Sequence, residues 1–149
     1  FYEAMQPGFV DYQKQVLKNA RAMVERFQFH KFRVVSSHTD SHLFLVDLSD
    51  RDQTGKKAEK LLESIGVIVN KNTVPGDKRS PFVTSGFRVG TLGLTTRGFE
   101  EDDCRGLVDR MVAILKSDDD QEIQNRLRKE VVDLCEKFPI YQDIEEFRV

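Results

Sequence analysis

The sequence predicts an α+β domain, a two-layer α/β sandwich in which helices pack on one small, largely antiparallel sheet. Two patterns lead there. Stretches with apolar residues at three- and four-residue steps alternate with short runs rich in Val, Phe and Leu, which are the helical and strand signatures. Their order, α-β-β-α-β-β-α-α, contains no repeat or low-complexity tract and no dinucleotide-binding or phosphate-loop pattern, so the compact solution is a single sheet with helices against it. The 149 residues, 39% hydrophobic and 32% charged, have the size and balance of one soluble domain with one core.

The first helix is read from Phe9 to Phe29, where Val16, Leu17, Ala20, Met23, Val24 and Phe27 share a stripe and Pro7-Gly8 marks the break before it. Phe32 to Val35 and Leu43 to Leu48 are β-prone runs separated by the polar stretch Ser36 to His42, and they predict two strands joined as a hairpin-like pair. Thr54 suits the N-cap of a helix that buries Ala58, Leu61, Leu62 and Ile65, with Gly66 at its left-handed end. A short strand is expected at Val67-Ile-Val69, then an irregular segment from Asn70 to Ser85, then a strand at Phe87 to Thr91. Glu100, Glu101, Asp102 and Asp103 crowd the start of the next helix, where the dipole favours negative charge, and Leu107, Val108, Met111, Val112 and Leu115 form its apolar face. The last helix runs from about Asp119 to Phe138, burying Ile123, Leu127, Val131, Leu134 and Phe138, and Pro139 ends it.

Charge removes whole classes of partner. A formal net charge of -2 from 23 basic and 25 acidic residues, spread along the chain, offers no field of one sign for nucleic acid or a membrane surface. No apolar run is long enough to span a bilayer and no signal-like segment opens the chain, so a cytoplasmic address is expected. Cys104 and Cys135 have no metal-type or redox-type spacing and read as reduced residues in or near the core. The chain begins with Phe1, and Phe1 to Met5 read like the end of a helix already under way, as in a segment cut from something longer.

Three clusters could carry chemistry. His38, Asp40 and His42 lie close together and invite a metal reading, but no fourth ligand recurs at a recognisable spacing, and turn formation explains Ser and Asp there. Asn70-Lys-Asn-Thr-Val-Pro-Gly-Asp77 supplies carboxamides that can both donate and accept, and Ser80-Pro81-Phe82 adds a hydroxyl, a rigid kink and an aromatic face; Phe82 either seats a flat ligand or plugs the core. Arg88 interrupts the apolar run Phe87-Arg-Val89. It either faces outward, pairs with an internal acid, or receives a bound carboxylate. Arg97, beside Gly98 at a helix start, serves to orient its loop. No nucleophile with a paired base is evident.

The blocks Asn70 to Asp77, Ser80-Pro-Phe82, Ser85-Gly-Phe-Arg-Val-Gly-Thr91 and Leu94-Thr-Thr-Arg-Gly-Phe99, with Thr39-Asp-Ser-His-Leu-Phe-Leu-Val-Asp-Leu48 upstream, resemble serine hydroxymethyltransferase. Tyr12-Gln-Lys-Gln-Val16 and Asn19-Ala-Arg-Ala-Met23 keep the register, so the resemblance covers nearly the whole chain. It implies the C-terminal small domain, residues 1–149, of a pyridoxal-phosphate enzyme of the aspartate-aminotransferase-like fold. Such an enzyme interconverts serine plus tetrahydrofolate with glycine plus 5,10-methylenetetrahydrofolate.

By position, the resemblance assigns Arg88 to the amino-acid carboxylate and Asn72, Ser80, Pro81 and Phe82 to the folate pocket, with Asp40 and His42 structural. The Schiff-base lysine and most of the pyridoxal-phosphate site would belong to a domain preceding Phe1, so this chain alone is expected to be inactive. Its expected partners are that N-terminal domain, serine or glycine, tetrahydrofolate, and a second copy in a homodimer. Ser37 and His38 stand where the family commonly has two glycines, Ser41 where it has Asn, and Leu92-Gly93 where it has Pro-Ala. Strain at His38 and a looser turn after Thr91 are expected from these departures. The alternative is a free-standing, non-catalytic binding or regulatory module derived from the same domain.

Overall fold

The computed structural model describes residues 1–117 and 119–140. A short 3-10 turn at Glu3–Met5 leads into α1 (Gly8–Phe29), β1 (Arg33–Val34) and β2 (Leu43–Asp47). Next come α2 (Gly55–Ser64), β3 (Asn70–Asn72) and β4 (Gly86–Gly90), and then α3 (Leu92–Arg97), α4 (Glu101–Leu115) and α5 (Gln121–Lys137). The strands form one antiparallel sheet in the order β1-β2-β4-β3. The α+β two-layer class read from the sequence is therefore the observed one.

Period-two alternation explains the layering. Phe44, Val46, Phe87 and Val89 are buried in the core with residues of α1, α2 and α4, whereas Leu43, Leu45 and Arg88 alternate with them and stay partly or fully exposed. Val16, Ala20, Met23, Val24 and Phe27 form the buried stripe of α1. Asn19 lies on the same stripe with no exposed surface. Its Nδ2 donates to Thr95 Oγ1 at 3.0 Å and to the Phe99 carbonyl at 2.8 Å, and its Oδ1 accepts from Gln15 Nε2 at 2.9 Å. A buried carboxamide so satisfied ties α1 to α3 and to the start of α4.

Helix ends follow their local chemistry. Thr54 accepts the Lys57 amide as N-cap of α2, and Gly66 beyond its end has a φ of 86°. Glu100 and Asp103 form a capping box at α4, with acids at 101, 102 and 103 in the first turn.

Two elements depart from the sequence reading. Val67 to Val69 is not a strand: Val69 is buried and Ile68 exposed, and pairing begins only at the polar run Asn70-Lys71-Asn72. The run is held from α2, where the Glu59 carboxylate accepts the Lys71 amide at 2.9 Å and meets Lys71 Nζ at 3.5 Å. A polar edge strand needs no hydrophobic alternation. Leu92 to Arg97 forms a short helix instead of a loosened turn, with Gly98 at φ 95° as its left-handed end, so Arg97 closes a helix and does not open one.

Gly55 and Gly86 set how closely α2 approaches β4. A Cβ at Gly55 would collide with Thr84 Oγ1 and the Gly86 carbonyl, and one at Gly86 would lie 2.6 Å from the Val46 carbonyl. Gly55→Ala is expected to lower stability by about 1–3 kcal/mol, as overpacking does. The urea midpoint should fall with an unchanged slope.

Candidate functional site

The covered face of the sheet leaves the opposite face to carry polar groups. Register places Leu45, Arg88 and Asn70 side by side across β2, β4 and β3, and Asp47, Gly86 and Asn72 form the next row. The Arg88 side chain is exposed, and its guanidinium makes no hydrogen bond or ion pair with the described residues. Of the readings open at the sequence level, the outward-facing one is observed and internal pairing is not. Arg88 lines a concavity of about 390 Å³ together with Asn70 and His42, between apolar walls that include Leu43, Ile68 and Leu92. Among the described residues no acidic side chain lines it. A guanidinium left unneutralised beside a carboxamide can grip a carboxylate with two parallel hydrogen bonds.

His42 is held there by its backbone. Its carbonyl accepts from Thr91 N at 2.9 Å and Thr91 Oγ1 at 3.1 Å. Buried Thr39 donates to the Leu43 carbonyl at 2.7 Å, fixing the approach to β2. Left-handed backbone in the preceding turn falls on Ser36 (φ 63°) and Ser37 (φ 59°), not on His38. The His38 ring bonds the Ser36 carbonyl at 2.7 Å, and Gln28 Nε2 donates to the Ser37 carbonyl at 2.7 Å. Asp40 pairs with Arg21 at 3.1 Å. Among the described residues no group of three His, Cys, Asp or Glu side chains could hold a metal ion.

The segment from Asn70 to Ser85 is organised by one carboxylate. Asp77 Oδ1 accepts from Ser85 Oγ at 2.6 Å and Arg79 N at 2.9 Å, and its Oδ2 accepts from Ser85 N at 2.8 Å and Val74 N at 3.3 Å. Pro75 and Gly76 (φ 74°) occupy the turn that returns the Asp77 amide to the Val74 carbonyl at 3.0 Å. Arg79 reaches back to the Gln53 and Arg51 carbonyls at 3.1 and 3.2 Å. The Ser85 hydroxyl, chiefly, holds the Asp77 carboxyl down at about 2, below its ordinary 3.8.

On this base Ser80, Pro81 and Phe82 form an exposed turn. Phe82 is 82% exposed, which overturns the alternative that it plugs the core. Asn72 shares the face of Asn70 and Arg88, and its Nδ2 donates to the Thr73 carbonyl at 2.8 Å. The structure thus gathers Arg88, Asn70 and His42 into one concavity and leaves Asn72 and Ser80 to Phe82 outside its lining. Sequence reading placed Asn70 and Asp77 in a candidate cluster without assigning either a role and took His42 as structural; the Pro-Gly-Asp turn was the available signal for Asp77. Burial pushes the Cys104 thiol up to about 12, which leaves it inert.

The sheet is covered by helices on one face and presents Arg88 on the other, beside the loop stiffened by Asp77. A model of the serine hydroxymethyltransferase family matches residues 1–111, and the chain belongs to that family. The matched span ends within α4, short of the nearly complete coverage expected, and includes every residue named for the site. No helix among the described residues is long and apolar enough to cross a membrane.

Because the folded carboxyl of Asp77 is depressed, its contribution to loop order is complete above the ordinary 3.8 and is lost as pH falls through about 2. The protection factors of the Val74 and Ser85 amides, which divide out the intrinsic pH dependence of exchange, should fall across that window. In Asp77→Asn these protection factors should be low already at neutral pH and change little with acid.

Proposed function

We propose that residues 1–149 are the C-terminal small domain of a serine hydroxymethyltransferase that interconverts serine plus tetrahydrofolate with glycine plus 5,10-methylenetetrahydrofolate. The supporting observation is Arg88, exposed on the open sheet face in a concavity that no acid lines among the described residues. In this reading its guanidinium takes the substrate carboxylate in plane, with Asn70 and His42 beside it. The apolar side chains of Leu43, Ile68 and Leu92 flank the pair.

Folate is proposed to lie along Asn72, Ser80, Pro81 and Phe82. An aromatic ring this exposed on a loop this constrained has its face available to a flat heterocycle at little ordering cost. Asn72 supplies a carboxamide that can donate and accept at a ring edge.

Pyridoxal phosphate is the cofactor the family implies, and the lining around Arg88 fits only part of what it needs. That lining contains no lysine and matches a carboxylate, not a Schiff base. The cofactor is therefore assigned to a lysine-bearing domain preceding Phe1, and the isolated chain is proposed to be inactive. That domain, a second copy in a homodimer, and a cytoplasmic setting complete the reading.

Reading the coding sequence upstream of Phe1 tests the domain assignment: a domain of roughly two to three hundred residues with that lysine is expected, and a start codon immediately upstream would sink it. In the full-length enzyme Arg88→Lys should raise the serine KM roughly tenfold or more, the cost of a lost charge-assisted contact. An unchanged KM would remove Arg88 from the carboxylate site. Phe82→Ala should weaken folate binding and leave glycine binding as it was.

A further inference from the structure

A second cavity, of about 180 Å³, lies under α5 on the other side of the wall formed by Ile68, Val69 and Gly90. Val67, Val89, Leu94, Met111 and Leu134 make it apolar. Protein interiors rarely leave such spaces unfilled, and an apolar cavity of about 150 Å³ is known to stay dry and admit benzene. This one has room for an aromatic ring with a small substituent.

Among the described residues one charged side chain lines it. Arg97 is half-buried, and its Nη1 donates to the Phe138 carbonyl at 3.0 Å. Its Nε and Nη2 make no hydrogen bond to the described residues, and no carboxylate occurs in the lining. A guanidinium at the rim of an apolar cavity, with N–H groups left over beside the one spent on a carbonyl, can take a carboxylate by charge-assisted hydrogen bonds. Phe138 flanks the site, its ring packed on Phe99 at 4.6 Å between centroids.

From this we infer that the cavity is a binding site for a small aromatic carboxylate. The ring sits among Val67, Leu94, Met111 and Leu134, and the carboxylate meets the free edge of Arg97. The site is separate from the Arg88 concavity and does not depend on what that concavity binds.

Benzoate, with benzamide as its uncharged isostere, tests the inference on the complete chain labelled at its methyl groups. Benzoate should shift the methyls of Val67, Leu94, Met111 and Leu134 saturably by about 10 mM, the weak end of specific binding, and bind at least tenfold tighter than benzamide. Arg97→Gln keeps a donor for the Phe138 carbonyl and should remove that preference. Cys135→Met fills the cavity from its partly exposed side and should abolish binding of both. Arg88→Ala should leave the benzoate shifts in place, so a failure of the carboxylate assignment at Arg88 would be read separately. Equal binding of benzoate and benzamide, absence of saturable shifts, or shifts confined to the amides of His42 and Asn70 would each overturn the inference, without need of any variant.

Discussion

Phe27 is the fulcrum of the domain. Its ring meets Phe32, Phe44 and Phe87 edge-on, with centroids 5.9, 5.9 and 6.1 Å away, so one side chain of α1 engages the turn after it and the two central strands. Edge-to-face packing restricts angle as well as distance, and it fixes which faces of β2 and β4 turn toward the helices. Everything on the opposite face follows from alternation: with Phe87 buried, Arg88 must point away, and with Phe44 buried, Leu43 and Leu45 must as well. A one-residue slip would put the guanidinium into the core and the phenylalanines into water. The orientation of Arg88 is in this sense a consequence of aromatic packing one residue earlier.

Polar fasteners then hold elements that the apolar core leaves free to slide. Asn19 joins α1 to the α3–α4 corner. Arg26 grips Asp109 with two hydrogen bonds of 2.7 and 2.8 Å while His30 meets the same carboxylate at 2.6 Å, which locks α1 on α4. Asp77 does for the loop what these do for the helices, and Arg79 moors that loop to the segment before α2. Partly buried, fully paired groups of this kind contribute more to a single arrangement than to total stability.

Much of this was legible in the sequence. The stripes of α1, α2 and α4, the cap at Thr54, the left-handed Gly66 and the acids opening α4 are local signals, and the chain obeyed them. α5 was placed correctly, although only Leu127 and Val131 of its expected face are fully buried. The failures share a cause. β3 is polar because it is an edge strand anchored by Glu59, and α3 is too short for a periodic pattern to show. Asn70 and His42 reach the Arg88 concavity only through pairing with β4 and through Thr91, which are long-range facts. Asp77 looked like an ordinary turn former because its partner Ser85 lies eight residues away.

α5 rests on the domain through a narrow stripe. Leu127 and Val131 are its buried residues, and Arg110 with Glu130 at 3.1 Å and Arg97 with the Phe138 carbonyl are its main polar ties. Cooperative units held so lightly detach before the rest unfolds. α5 is thereby expected to open on its own, ahead of the sheet-centred body that carries the open face. Were α5 to lift, Met111 and Leu107 would meet solvent while Phe27 and the sheet kept their packing, so hydrogen exchange in α5 is expected to report its own opening equilibrium and not the stability of the fold.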